Sequence, residues 1–215
     1  MNDNRRTCQV VSLVILLLVT CMLALSPEVA GQTQNAGKVS GTLKTTTGNN
    51  SFVLGTGDFL LNGKPFQIIS GEIHPARVPA EYWRHRIEMA KAMGCNTVSA
   101  YLFWNHHEST EGIYDFRTGN RNISRFITIA AEEGMWVIIR PGPYVCAEWE
   151  FGGIPPYLLR HPDIKIRCMD PVYMKAAERY ISRLADVLRP HLVTNGGPIL
   201  MIQIENEYGS YGNDR

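Results

Sequence analysis

The sequence has no surplus of charge of either sign: 21 Lys and Arg residues stand against 20 Asp and Glu, a net charge of +1 at pH 7. Without a basic excess there is no electrostatic footprint for a phosphate backbone, so no nucleic-acid partner is implied. Cysteine is scarce too. Beyond the first 31 residues only Cys95, Cys146 and Cys168 remain, an odd number without CxxC spacing. That is neither a disulfide framework nor a thiolate zinc site; an exported protein could oxidise one pair, but buried free thiols are the expectation. Also missing are GxGxxG and GxxxxGK[ST], which leaves nucleotide binding unsupported, and HExxH, which removes the simplest metalloprotease pattern.

Long apolar runs are missing with one exception, residues 10–25. Arg5 and Arg6 precede this run, and Pro27, Val29, Ala30 and Gly31 follow it. The order of positive, apolar and small residues reads as a secretory signal peptide over residues 1–31, cut near Gly31. Secretion or a periplasmic location follows, with no stable membrane span after cleavage. The run is short of the roughly 20 residues that a span needs. A membrane-anchored lipoprotein is the alternative: Leu18-Val19-Thr20-Cys21 resembles a lipoprotein box, with Thr before the Cys a poor fit. Oligomeric state is not readable from the sequence.

Residues 32–57 are polar, rich in Thr, Gly and Asn, and read as a linker or arm. From residue 58 the pattern changes. Asp58 to Ser70 places two apolar runs around Asn62-Gly63, a hairpin signal whose second run is expected to be the first strand of a larger sheet. Trp83, Ile87, Ala90 and Met93 then recur at helical spacing before Gly94. Strands are expected over 96–102 and 135–140, a helix over 123–133 ending at Gly134, and a long helix from Asp170-Pro171 with Ala177, Tyr180, Ile181, Leu184 and Leu188 in one stripe.

The last strand is expected in GGPILMIQIENEY, residues 196–208, buried on both faces at first. Strict alternation puts Ile199, Met201, Gln203, Glu205 and Glu207 on one face and Leu200, Ile202, Ile204 and Asn206 on the other. Strands alternating with helices imply an α/β protein with a parallel sheet. Polar, aromatic and acidic residues follow the C-terminal ends of the strands, which favours a (β/α)8 TIM barrel over a doubly wound sheet. A full barrel takes about 250 residues, so only about the first four β/α units are expected here, the chain ending after the fourth strand.

The loops after these strands carry the candidate chemistry. Ser70 to Arg77 reads SGEIHPAR, with His74 and Arg77 available either for substrate or for hydrogen bonds within the barrel. Tyr101 to Glu108 reads YLFWNHHE. By physics alone an aromatic at a barrel mouth suits a sugar, whose C–H face stacks on a ring. His106, His107 and Glu108 invite a metal, but adjacent histidines on an extended chain point to opposite sides, so no metal is expected. Arg140 to Gly153 reads RPGPYVCAEWEFGG, and the final loop contains Glu205-Asn206-Glu207. Alternation alone does not choose between the two glutamates.

These motifs, in this order, resemble glycoside hydrolase family 35, the β-galactosidase family, from about Asp58 onward. Pro75 stands where that family usually has Tyr. The resemblance implies a retaining exo-β-galactosidase acting on terminal β-linked galactose of oligosaccharides or glycans, with no metal or organic cofactor. Glu207 matches the acid/base, and Asn206 the partner of the sugar 2-hydroxyl. Glu148 matches the galactose-binding carboxylate, with Tyr101, Val145 and Ala147 around the sugar. The resemblance leaves Glu205 as a supporting carboxylate inside the barrel. The family's nucleophile follows a seventh strand and is absent from this chain. Two alternatives stay open: a related β-glycosidase (a β-glucosidase or exo-β-glucosaminidase), and a non-catalytic carbohydrate-binding protein or inactive fragment.

Overall fold

The computed structural model describes residues 50–211. The expected signal peptide and most of the expected arm lie outside that range. The arm's last part is not irregular: it forms strand β1 (Phe52–Leu54), antiparallel to β2 (Phe59–Leu61), which turns into β3 (Lys64–Phe66). Asn62 and Gly63 have φ of 52° and 76°, the paired positive values that a two-residue type I′ turn demands and that Asn-Gly adopts at least cost. The second apolar run does not become the first barrel strand. It is divided, with β3 ending at Phe66 and β4 (Ser70–Glu72) beginning a separate sheet. Phe66 explains the division, because its ring meets Trp136 edge-on at 6.4 Å and Phe52 at 6.5 Å, so the hairpin's aromatic face covers a cluster of Trp136, Val193 and Leu200.

In the second sheet β4 pairs with β5 (Thr97–Tyr101), β5 with β6 (Trp136–Arg140) and β6 with β7 (Ile199–Ile202), all parallel and in chain order. A doubly wound sheet reverses its strand order at a switch point. No reversal occurs among these four strands, as a barrel wall requires. Helices α1 (Trp83–Ala92), the single turn α2 (Trp104–His107), α3 (Ile123–Glu132) and α4 (Pro171–Leu188) complete the crossovers.

The helices form where the sequence supplies caps and an apolar stripe. Asp170 accepts from the backbone N–H groups of Val172 and Tyr173 at 2.9 and 3.0 Å, and Asn122 from that of Arg125 at 3.0 Å. Such caps contribute about 1 kcal/mol each. Trp83, Ile87 and Ala90 are buried, and Trp83 meets Phe126 of α3 edge-on at 5.5 Å. Met93, expected in the same stripe, lies beyond the helix and is 75% exposed. On α4, Tyr180 stacks on Trp104 at 5.1 Å, while Ile181 is only half-buried.

Strand β7 departs most from expectation. Only Ile199 and Leu200 are buried. Val137 pairs with Ile199 but Ile138 with Met201, so Leu200 is an extra residue in a bulge. Ile199 therefore joins the main core, while Leu200 and Met201 both pack toward Trp136. The two-face assignment for this strand fails at that point. Cys95, Cys146 and Cys168 are free and half-exposed rather than buried.

Candidate active site

Parallel pairing brings the loops after β4, β5, β6 and β7 to one end of the sheet. Arg140, the last residue of β6, ties three of them together. Its Nε donates to Gln203 Oε1 at 2.7 Å and its Nη2 to Asn206 Oδ1 at 3.1 Å, while Nη1 donates to Glu72. The guanidinium lies 3.9 Å above the Tyr101 ring. Tyr101 is 7% exposed, so this ring face is not offered to a sugar; the correction to the stacking expectation is that Tyr101 contributes its hydroxyl. That hydroxyl donates toward Asn206 Oδ1 at 3.4 Å. Burial pushes the phenol's pKa up, and the Arg140 charge opposes the shift.

Asn206 is the focus of this network and is itself buried. Its Oδ1 accepts from Tyr101, Arg140 and, at 3.3 Å, Gln203 Nε2. Three donors on the oxygen fix the amide's orientation. The Nδ2 group then has no partner among the described residues and is free to donate to a ligand. Asn206 reaches this position because the chain leaves extended geometry after Ile202: Glu205 and Glu207 have φ of 59° and 52°. Left-handed backbone costs an L-residue roughly 1–2 kcal/mol. Among the described residues eight non-glycine residues have it, and all but Asn62 follow β6 or β7. Strain concentrated in this way marks a functional site.

The two glutamates flanking Asn206 separate. Glu205 accepts from Arg167 Nη2 at 2.6 Å and lies beside Tyr173, Met174 and Ala177 of α4. It is a paired carboxylate as expected, and it lines a cavity together with these α4 residues. Glu207 is exposed; its charge adds only a small upward push to the pKa of Tyr101, raised chiefly by burial, and of Tyr144, raised chiefly by a hydrogen bond with Cys146. No described residue hydrogen-bonds its side chain.

The β6 loop supplies the other candidates. Val145, 1% exposed, packs with Tyr101 and Phe103, and its N–H is taken by the Gly152 carbonyl at 2.8 Å. Val145 is thus a wall. Ala147 packs on the same cluster. Cys146, Ala147 and Glu148 have φ of 58°, 52° and 47°, a strained run held from behind by Arg77. Its Nη2 donates to the carbonyls of Ala147 and Glu148 at 2.7 and 2.9 Å. His74 accepts from Arg77 and donates to Glu72 at 2.8 Å. The choice left open for His74 and Arg77 falls to support. The Glu148 carboxylate is exposed and has no hydrogen-bond donor among the described residues. Behind this loop, Trp149 stacks on Phe103 at 4.0 Å and donates to Asn105 at 2.8 Å. Gly152 is obligatory, since a Cβ there would stand 1.9 Å from the Tyr144 ring.

His106, His107 and Glu108 sit on and after the helical turn α2, not on an extended chain. His107 Nδ1 donates to the Asp115 carbonyl at 2.9 Å, and burial lowers its pKa to about 4. Glu108 is fully buried, accepting from Trp104 Nε1 and, at 2.7 Å, from the Gly112 N–H. Both are committed to the floor under the β5 loop. Sequence reasoning missed the roles of Arg140, Gln203 and Arg167, whose partners lie in other loops.

Residues 58–215 match the family model for glycosyl hydrolases family 35. A beta-galactosidase of Xanthomonas manihotis is 47% identical over 73% of this chain and 26% of its own length. One from Bos taurus is 47% identical over 71% and 23%. The chain therefore spans about a quarter of the length of these curated relatives. Among solved structures, an exo-beta-1,4-mannosidase from an Opitutaceae bacterium matches with TM-score 0.52 at 22% identity, over 67% of this chain and 26% of that one. A beta-galactosidase from the psychrophilic Marinomonas ef1 matches with TM-score 0.52 at 18% identity, over 66% and 22%. At such identities these two likenesses establish the fold, that of a partial TIM barrel.

Proposed function

This chain belongs to glycosyl hydrolases family 35, and from that premise we propose that it is part of a retaining exo-β-galactosidase. The observation that carries the reading is Asn206, with its oxygen held by three donors and its amide nitrogen left free, directly followed by the unpaired, exposed carboxyl of Glu207. Asn206 donates to the 2-hydroxyl of a terminal galactose. Glu148 accepts from other hydroxyls of the same ring, in charge-assisted bonds about twice as strong as neutral ones. The Val145 and Ala147 wall closes the pocket on one side.

In the first step Glu207 gives its proton to the glycosidic oxygen as the C1–O bond breaks and a second carboxylate, about 5–5.5 Å away, bonds to C1. In the second, Glu207 takes a proton from the water that attacks C1 and releases that carboxylate. The family resemblance puts the nucleophile after a seventh strand, beyond the four parallel strands of this sheet. We assign that role to a residue outside this sequence, and the full-length enzyme as the active species. Assayed against chromogenic β-galactosides and β-glucosides, that enzyme is expected to prefer galactose, with NMR showing β-galactose as the first anomer released. Release of α-galactose first, or preference for glucose, would overturn the reading.

Export through residues 1–31 is part of the proposal, supported by their charge and apolar order. Mass spectrometry of the mature protein is expected to find an N-terminus near residue 32; an intact Met1 in the cytosol would count against it.

A further inference from the structure

The turn that presents Glu207 is gripped from behind by a residue that neither the motifs nor the comparisons single out. Arg167, in the loop between β6 and α4, is 5% exposed and itself left-handed at φ 58°. One nitrogen, Nη2, donates both to Glu205 Oε2 at 2.6 Å and to the Asn206 carbonyl at 2.7 Å. The guanidinium lies 3.8 Å from the Tyr144 ring centre and 4.1 Å from that of Tyr211. Tyr144 belongs to the β6 loop and Tyr211 to the β7 loop, so the cation is pressed between the two segments that form the site.

A buried ion pair is a weak source of stability, because desolvation offsets much of the attraction. Its better-attested use is to specify one arrangement among several. That use is needed here, because Glu205 and Glu207 both hold backbone conformations that L-residues disfavour. Glu205 Oε2 also accepts from the Asn206 N–H at 3.1 Å, and the Glu205 N–H donates to the Gly142 carbonyl at 2.9 Å. Arg167 thus closes a ring of bonds around the peptide units that lead directly into Glu207.

We propose that Arg167 is a positioning residue: by bridging the Glu205 carboxylate and the Asn206 carbonyl while stacked between Tyr144 and Tyr211, it sets where the Glu207 carboxyl stands relative to the leaving oxygen. The proposal rests on the reading of Glu207 as the acid/base. Misplacing the acid/base slows the first step only for substrates that need protonation, although the second step, which needs the base, suffers for all of them; a purely structural loss lowers stability without regard to the leaving group.

The test is made in the full-length enzyme with Arg167→Lys, which keeps the charge but loses the planar fork. For an alkyl β-galactoside kcat is expected to fall about 10- to 100-fold, while for an activated dinitrophenyl β-galactoside the first-step rate changes by less than about threefold. Equal losses on both substrates, or a lower Tm with unchanged kcat, would overturn the proposal. Should Arg167→Lys not fold, Tyr211→Leu removes one face of the stack at an exposed position and is expected to give the same selectivity in smaller degree; its absence would be equally adverse. Glu207→Gln is measured in parallel. Leaving-group dependence there but in neither Arg167→Lys nor Tyr211→Leu removes the positioning role alone, whereas none in Glu207→Gln removes the assignment of Glu207 and the positioning role with it.

Discussion

At Asn206 a single amide shows how much of the site depends on orientation. Its oxygen is fully engaged by Tyr101, Arg140 and Gln203, so the nitrogen's direction is set before any ligand arrives. Hydrogen bonds to a sugar 2-hydroxyl that strengthen in the transition state supply several kcal/mol. Asn206→Ala is accordingly expected to lower kcat/KM for a β-galactoside by about 100-fold or more. A 2-deoxygalactoside should lose far less, and equal losses on the two substrates would show that Asn206 serves only the fold. Tyr101, Glu148, Asn206 and Glu207 could be singled out in the sequence because each sits in a contiguous motif, and the structure brings their loops to one end of the sheet. Their partners were not: Arg140 lies 63 and 66 residues from Gln203 and Asn206, and Arg167 38 residues from Glu205. Contacts at such separation leave no local pattern. The same blindness produced the stacking expectation for Tyr101, since nothing near it in sequence announces the guanidinium above its ring.

Among the elements, helices α3 and α4 were readable from their caps and apolar period. Strand β7 was not, because one bulge and two left-handed residues cancel the period of two on which the reading relied. The turn α2 was misread as extended, and with it the surroundings of His107. That residue supplies a pH test. Its folded pKa of about 4 lies below the ordinary 6.5 because burial disfavours the charged ring. As pH falls through 6.5 the unfolded chain takes up a proton that the native ring refuses until about 4. Stability therefore drops across that window, by up to about 3 kcal/mol from this residue, and His107 contributes no further loss below it. His107→Asn retains an N–H for the Asp115 carbonyl but does not titrate. Thermal melts between pH 7 and 4 are expected to show a lower but flatter stability profile for that variant. A pH dependence equal to the parent's would contradict the buried neutral imidazole.

For the molecule as a whole, the sheet order β4-β5-β6-β7 and the gathering of four loops at one end were legible in the alternation of strands and helices. The separate hairpin sheet was not, because no turn signal stands between Phe66 and Ser70, where β4 begins, and the division shows only in the packing of Phe66 on Trp136. Among the described residues β7 pairs with no second strand, its free side carrying only an isolated bridge from Ile199 to Leu192, and Ile204 beyond it is 73% exposed. Relatives about four times as long as the matched segment are in keeping with the proposal that this segment works with a carboxylate from elsewhere. The division of labour between those two carboxylates is most directly probed by Glu207→Gln in the full-length enzyme, supplied with an activated aryl β-galactoside and azide. Gln is nearly isosteric but cannot act as base, so the glycosyl-enzyme should accumulate, and azide, which needs no deprotonation, should release it as β-galactosyl azide. Formation of the α-azide, or azide rescue in Glu205→Gln with none in Glu207→Gln, would contradict the assignment of Glu207 as the acid/base of a retaining enzyme.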